Sequence, residues 1–131
     1  MDIMTADTRA YRQGEPAYFT GSVWLEPVIE APDPARARAL RVTFAPGART
    51  AWHTHPLGQT LYVLSGVGRV ATRGGPVRVI RAGDTVWFAP GEEHWHGAAP
   101  DQVMCHLAIQ EGLDGQVADW LEQVSDADYT A

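Results

Sequence analysis

Four of the five histidines in this chain form two His-x-His pairs, His53 with His55 and His94 with His96. A strand turns alternate side chains to one face, so residues two apart can aim their ring nitrogens at a common point. That is a way to build a metal site from imidazoles. A lone His-x-His is weak evidence, because strands also bury histidines whose nitrogens are simply hydrogen-bonded. The surrounding spacing is more specific. Gly47 is followed after five residues by His53-Thr54-His55, after three more by Gln59, and after six by Gly66; Gly83 and then Pro90-Gly91-Glu92-Glu93-His94 come later. His53, His55, Gln59 and His94 are the candidate metal ligands, with positions left open for water or substrate. A carboxamide among three neutral imidazoles cancels none of the charge of a divalent ion. Such a centre is a stronger Lewis acid than one with a carboxylate, and it holds its metal less tightly. Nitrogen and oxygen ligands without thiolate suit manganese, iron, cobalt, nickel or zinc alike.

The elements that must position these groups are short strands. Thirteen Gly, nine Pro and five Trp in 131 residues, set among brief apolar runs, point to one domain of many turns. Residues 1–17 are polar and aperiodic and read as an N-terminal arm, loose or laid against a partner subunit; the domain proper is expected over 18–131. Strands are expected over 22–29, interrupted at Pro27, and over 39–44, where Leu40, Val42 and Phe44 share an inward face. Pro46-Gly47 turns the chain toward His53 and His55, and 59–64 continues as the next strand. Arg73-Gly74-Gly75-Pro76 reads as a hairpin turn between 68–72 and 77–80. Val86-Trp87-Phe88, a strand through His94 and a long strand over 104–110 complete an all-β architecture. In the tail, Val117, Trp120, Leu121 and Val124 recur at helical spacing, which predicts one C-terminal helix packed on the outside of the barrel.

A formal charge of -6 without Lys/Arg clusters removes the electrostatic footprint of nucleic-acid or anionic-membrane binding. No stretch is long and apolar enough to span a bilayer. The single Cys105 cannot form an internal disulfide, and the N-terminus has no apolar signal segment, so a cytoplasmic location is expected. Cys105 reads as a small buried hydrophobe. Trp52, Trp87 and Trp95 read as core or subunit contacts, and Trp120 as helix packing.

The glycine, histidine and Pro-Gly spacings resemble the two motifs of the cupin superfamily, with Gln59 where Glu is usual, Ala89 where Pro is usual and Ala98 where Asn is usual. Residues 44–60, 83–88, 93–98 and 106–111 look like one branch of small single-domain cupins. That branch includes the manganese-dependent hydroxynitrile lyases of bacteria, and cupins related to carboxymuconolactone decarboxylase proteins. The resemblance implies a jelly-roll β-barrel of two antiparallel sheets, Mn(II), a homodimer or homotetramer, and cleavage or formation of cyanohydrins such as mandelonitrile. Under that reading His106 is a candidate general base and His96 a second proton carrier or a support for the ligands. Thr50 and Gln110 are candidate hydrogen-bonding partners of a small-molecule substrate, and Leu40, Val42 and Phe44 its apolar wall. Two other classes compete: an Fe(II) dioxygenase using the same cage, separable by oxygen consumption, and a non-catalytic cupin that only binds a small molecule.

Overall fold

The computed structural model describes residues 1–131. After a short 3-10 turn at Ala6–Thr8 come β1 (Arg12–Gln13), β2 (Phe19–Thr20), β3 (Val23–Glu30), β4 (Ala37–Phe44), β5 (Arg49–Thr50) and β6 (His53–Thr54). Then follow β7 (Gln59–Thr72), β8 (Arg78–Arg81), β9 (Thr85–Phe88), β10 (His94–Ala98), β11 (Met104–Glu111), β12 (Asp119–Trp120) and α1 (Asp126–Thr130). Every pairing between them is antiparallel. One face of the molecule runs β1-β3-β4-β11-β7-β9; the other runs β8-β7-β10-β5-β2, with β6 on β10 and β12 on β6. This is the expected all-β barrel of two antiparallel sheets. No helix is long and apolar enough to cross a membrane.

The strand β7 belongs to both sheets, so 59–64 and 68–72 are parts of one 14-residue strand rather than separate elements. Its first half pairs with β11 and β9, its second with β8 and β10. The change of sheet falls at Gly66, whose φ is +81° and where a Cβ would lie 1.9 Å from the Val103 carbonyl oxygen. Only glycine fits there. Alternation along β4 and β7 then sends Val42, Phe44, Leu61 and Val63 into a core of thirteen buried residues between the sheets. Opposite the Cys105–His106 step of β11, β7 carries one extra residue, Leu64, so that Cys105 pairs with Ser65 and His106 with Val63.

Residues 117–124 are not the predicted helix. Asp119 and Trp120 pair with Thr54 and His53, Leu121 N–H donates to the Trp52 carbonyl at 2.8 Å, and Trp52 N–H donates to the Glu122 carbonyl at 2.9 Å. The exposed edge of β6 needs backbone partners, and this segment supplies them; that demand outweighs a helical spacing of only four apolar residues. The helix that does form is the five-residue α1. Its first turn is capped by the Ser125 side chain, which accepts from Asp128 N–H. Arg49 anchors it, donating to the Val124 carbonyl and to Asp126, both at 2.8 Å. Val124 and Tyr129 pack with Trp52, Ala71 and Trp95 in a second cluster outside the barrel. Trp52 and Trp95 are core, as expected, whereas Trp87 is exposed. Cys105 is free and buried.

Candidate metal centre and cavity

Three strands deliver the histidines. β6 carries His53 with His55 just beyond it, β10 carries His94 and His96, and His94 stands directly across from His53 in the ladder. Gln59 opens β7, and His106 and Gln110 come from β11, whose Gln110 is the ladder partner of Gln59. His53, His94 and His96 present ring nitrogens within 4.8 Å of one another, a cluster that suits a single divalent metal. His55 lies beside them, its ring centroid 5.0 Å from that of His53 and 5.4 Å from that of His94.

The hydrogen bonds sort the imidazoles into two kinds. His53 Nδ1 lies 2.9 Å from the Ala51 carbonyl and His94 Nδ1 2.8 Å from the Glu92 carbonyl, while His55 Nδ1 is bonded to the Val117 carbonyl. A carbonyl can only accept, so in each of these rings Nδ1 carries the proton and Nε2 is left as a lone pair. His96 differs: its Nδ1 meets His106 Nε2 at 2.9 Å. Nε2 of His55 and Nε2 of His96 are buried without a partner. Burial is the leading reason that all five imidazoles resist protonation, with neighbouring imidazoles adding to it at His53, His94 and His96. His94 is held down to about 3 and His106 to about 4. Neutral rings with free lone pairs are what a cation requires.

One contact tests the fit directly. Gln59 Nε2 donates to Gln110 Oε1 at 3.0 Å, which turns Gln59 Oε1 toward His94 Nε2, 3.2 Å away. Both of those atoms offer lone pairs, so the contact is unfavourable unless a positive charge lies against the pair. The residues present therefore fit a divalent cation.

Beside the cluster is a cavity of about 260 Å³ walled by His53, His55, Gln59, His96, Thr50 and Gln110 on its polar side and by Leu25, Leu40, Val42 and Ala108 on its apolar side. A larger cleft of about 670 Å³ along β8 and β9 holds no imidazole. The chemistry thus sits in the smaller space. Thr50 is spent in part on holding β10, its Oγ1 accepting from His96 N–H at 3.2 Å. His106 faces inward as expected but is fully buried and sealed from the cavity behind His96. Phe44 likewise stops short of the cavity: it is fully buried, with its ring centroid 5.3 Å from that of His106 and 5.9 Å from that of His96. Leu40 and Val42 do reach the cavity wall.

Sequence reasoning missed Tyr18, Leu25 and Trp120. Trp120 stacks on His53 with centroids 4.6 Å apart and on Tyr18 at 4.6 Å, closing the cavity where a helix-packing role was expected. Leu25 was findable, because it is the ladder neighbour of Val42 and shares its face. Trp120 gave no signal, since its place follows from β12, which the spacing concealed.

The family model described as a cupin domain matches residues 40–109. The chain is 55% identical over 129 residues to a protein of Granulicella tundricola named (R)-mandelonitrile lyase, covering 98% of both chains. The crystal structure of a cupin-like protein from Thermotoga maritima superposes with a TM-score of 0.86 at 38% identity, covering 98% of this chain and 95% of that one. The polyketide cyclase RemF of Streptomyces resistomycificus, at 18% identity, shares the fold with a TM-score of 0.76 over 98% of this chain and 90% of that one. With strand order, buried histidine cluster and near full-length relatives in agreement, the chain belongs to the cupin family.

Proposed function

We propose that this cupin is a metal-dependent carbon–carbon lyase that splits cyanohydrins such as mandelonitrile into an aldehyde and hydrogen cyanide, and joins them in reverse. The observation that carries the reading is the 55% identity, over almost all of both chains, to a protein named (R)-mandelonitrile lyase. The cavity supports it, offering an apolar wall for one small ring next to a set of polar groups.

His53, His55, Gln59 and His94 would hold the ion, since the three histidines have Nδ1 locked on backbone carbonyls and the amide oxygen of Gln59 faces them. Mn(II) is the ion the resemblance favours. When bound, it supplies an uncompensated positive charge that stabilises negative charge developing on cyanide or on the substrate oxygen. His96 is close enough to His53 and His94 to belong to the same cluster, but its Nδ1 meets His106 instead of a backbone carbonyl, and this reading makes it the proton carrier. Its Nε2 has no partner and its ring reaches the cavity, so it takes the hydroxyl proton as the C–C bond breaks. The bonding pair leaves with cyanide, the carbonyl forms, and the same proton is returned to give HCN. In that role His96 donates its Nδ1–H to His106 Nε2, 2.9 Å away, which leaves the lone pair at His96 Nε2 and stabilises the imidazolium once it forms. Gln110 and Thr50 line the space that the substrate hydroxyl or nitrile would occupy. The reading carries with it a homodimer or homotetramer and a cytoplasmic location, the latter in keeping with a single unpaired Cys105.

The test is elemental analysis of the purified chain together with mandelonitrile cleavage before and after chelation. A divalent ion bound to each chain, and cyanide release that is lost on chelation and restored by Mn(II), are expected. A metal-loaded protein that releases no cyanide overturns the reading.

A further inference from the structure

The two ends of the Gln59 amide have nearly the same shape and opposite chemistry. Turned one way the amide offers an oxygen lone pair, turned the other way two N–H donors, and only the first serves a cation. Against the lone pair at His94 Nε2 the second orientation is the better one when no cation is present, because it makes an N–H···N hydrogen bond where the first sets two acceptors 3.2 Å apart. The structure nonetheless has the oxygen inward. This orientation goes with an acceptor on the far side: Gln110 Oε1 receives Gln59 Nε2–H at 3.0 Å, and both side chains are buried.

We infer that Gln110 is a positioning residue whose carbonyl holds the Gln59 amide with its oxygen turned toward the imidazoles, and thereby sets the affinity of this centre for a divalent cation. The inference rests on the metal reading proposed above. Gln59 and Gln110 are partners in the β7–β11 ladder, so the contact between their amides is built into the strand register and needs no loop to hold it. A carboxylate at position 59 would accept through both oxygens and would need no such partner. A carboxamide leaves the centre more positively charged, and an oriented amide beside it is the structural requirement that follows. Gln110 Nε2 remains free for the cavity, so the same side chain divides its two ends between Gln59 and the substrate space.

The experiment is titration calorimetry of Mn(II) into the full chain and into Gln110→Met, Gln110→Glu, Gln59→Glu and the Gln59→Glu/Gln110→Met double variant, with thermal unfolding of each run alongside. Loss of the orienting acceptor in Gln110→Met should weaken Mn(II) binding by about tenfold or more. Gln110→Glu, which can only accept, should bind at least as tightly as the parent. In the Gln59→Glu background the Gln110→Met change should matter by less than about threefold, since no orientation is left to lose. Equal losses in the two backgrounds, or no loss in Gln110→Met, overturn the inference. Should Gln110→Met not fold, Gln110→Glu carries the test alone: retained affinity supports the positioning role and a tenfold loss overturns it. A parent chain that binds no divalent ion overturns the metal reading and this inference together, whereas a parent that binds and a Gln110→Met that binds equally overturns the inference only.

Discussion

His106 Nε2 lies 2.9 Å from His96 Nδ1, and this is the one hydrogen bond in the buried histidine cluster that joins two imidazoles rather than an imidazole to a carbonyl or an amide. A carbonyl fixes a tautomer permanently. An imidazole can share a proton, and so the pair marks where a proton is able to move.

Removal of the two rings should therefore have unequal effects. His96→Ala takes away the group at the cavity and should lower kcat for mandelonitrile cleavage by about 10²- to 10⁴-fold, the usual worth of a general base. His106→Ala leaves that group in place but unoriented and should cost less, about tenfold or more, with metal content unchanged. Steady-state kinetics with metal analysis decides this; full activity in both variants would remove the proton-carrier assignment.

The buried His106 also makes stability depend on pH. Burial holds it at about 4 in the folded chain against an ordinary value of 6.5. Between those two values the unfolded chain binds the proton and the folded chain does not, so stability falls as pH falls through 6.5 and goes on falling toward 4. His96, lowered chiefly by burial and then by His106, acts in the same direction. The Tm of the metal-free protein should be steady above about pH 7 and decline below it, less steeply in His106→Gln than in the parent. A Tm that does not change between about pH 7 and 5 would contradict this.

At Gly66 a methyl group has nowhere to go, being aimed at the Val103 carbonyl oxygen from a backbone with φ of +81°. Gly66→Ala should destabilise the fold by about 3 kcal/mol or more, because it combines left-handed strain with a clash against backbone. Urea unfolding measures it. Gly74→Ala, at a turn with φ of +79° and no neighbour within 4 Å, is the control and should cost distinctly less.

The stack of Trp120 on His53 is a built-in reporter of the site. Mn(II) binding should quench part of the tryptophan emission, and the quenching should vanish in Trp120→Phe while calorimetry still shows the ion bound. Removing the stacked ring in Trp120→Ala should also raise KM for an aromatic cyanohydrin severalfold, as an aromatic contact contributes about 0.5–1.5 kcal/mol.

Most of the fold was written in local patterns. Period-two alternation placed Leu40, Val42, Met104 and Ala108 correctly, and of the two His-x-His pairs three imidazoles, His53, His94 and His96, bring their nitrogens within 4.8 Å of one another with His55 beside them. What escaped were features decided by distant partners. Val117, Trp120, Leu121 and Val124 fit a helical period, but the edge of β6 took their backbone, and only a pairing known in advance would have shown it. Parity along β11 put His106 on the inward face, yet parity cannot tell a cavity wall from the layer behind it, and His96 stands between. The orientation of Gln59 belongs to the same class, since it depends on an amide 51 residues away.

Val117, Ala118 and Trp120 wall the cavity, and three residues on Gln123 donates to the Pro16 and Ala17 carbonyls and accepts from Thr20. The tail is thus a hasp, fastened across the substrate door to the opposite end of the polypeptide. Trimming the chain after Gly115 would therefore strip one wall from the site and, in the same cut, leave the β6 edge, His55 Nδ1 and the Trp52–Trp95 cluster without their partners.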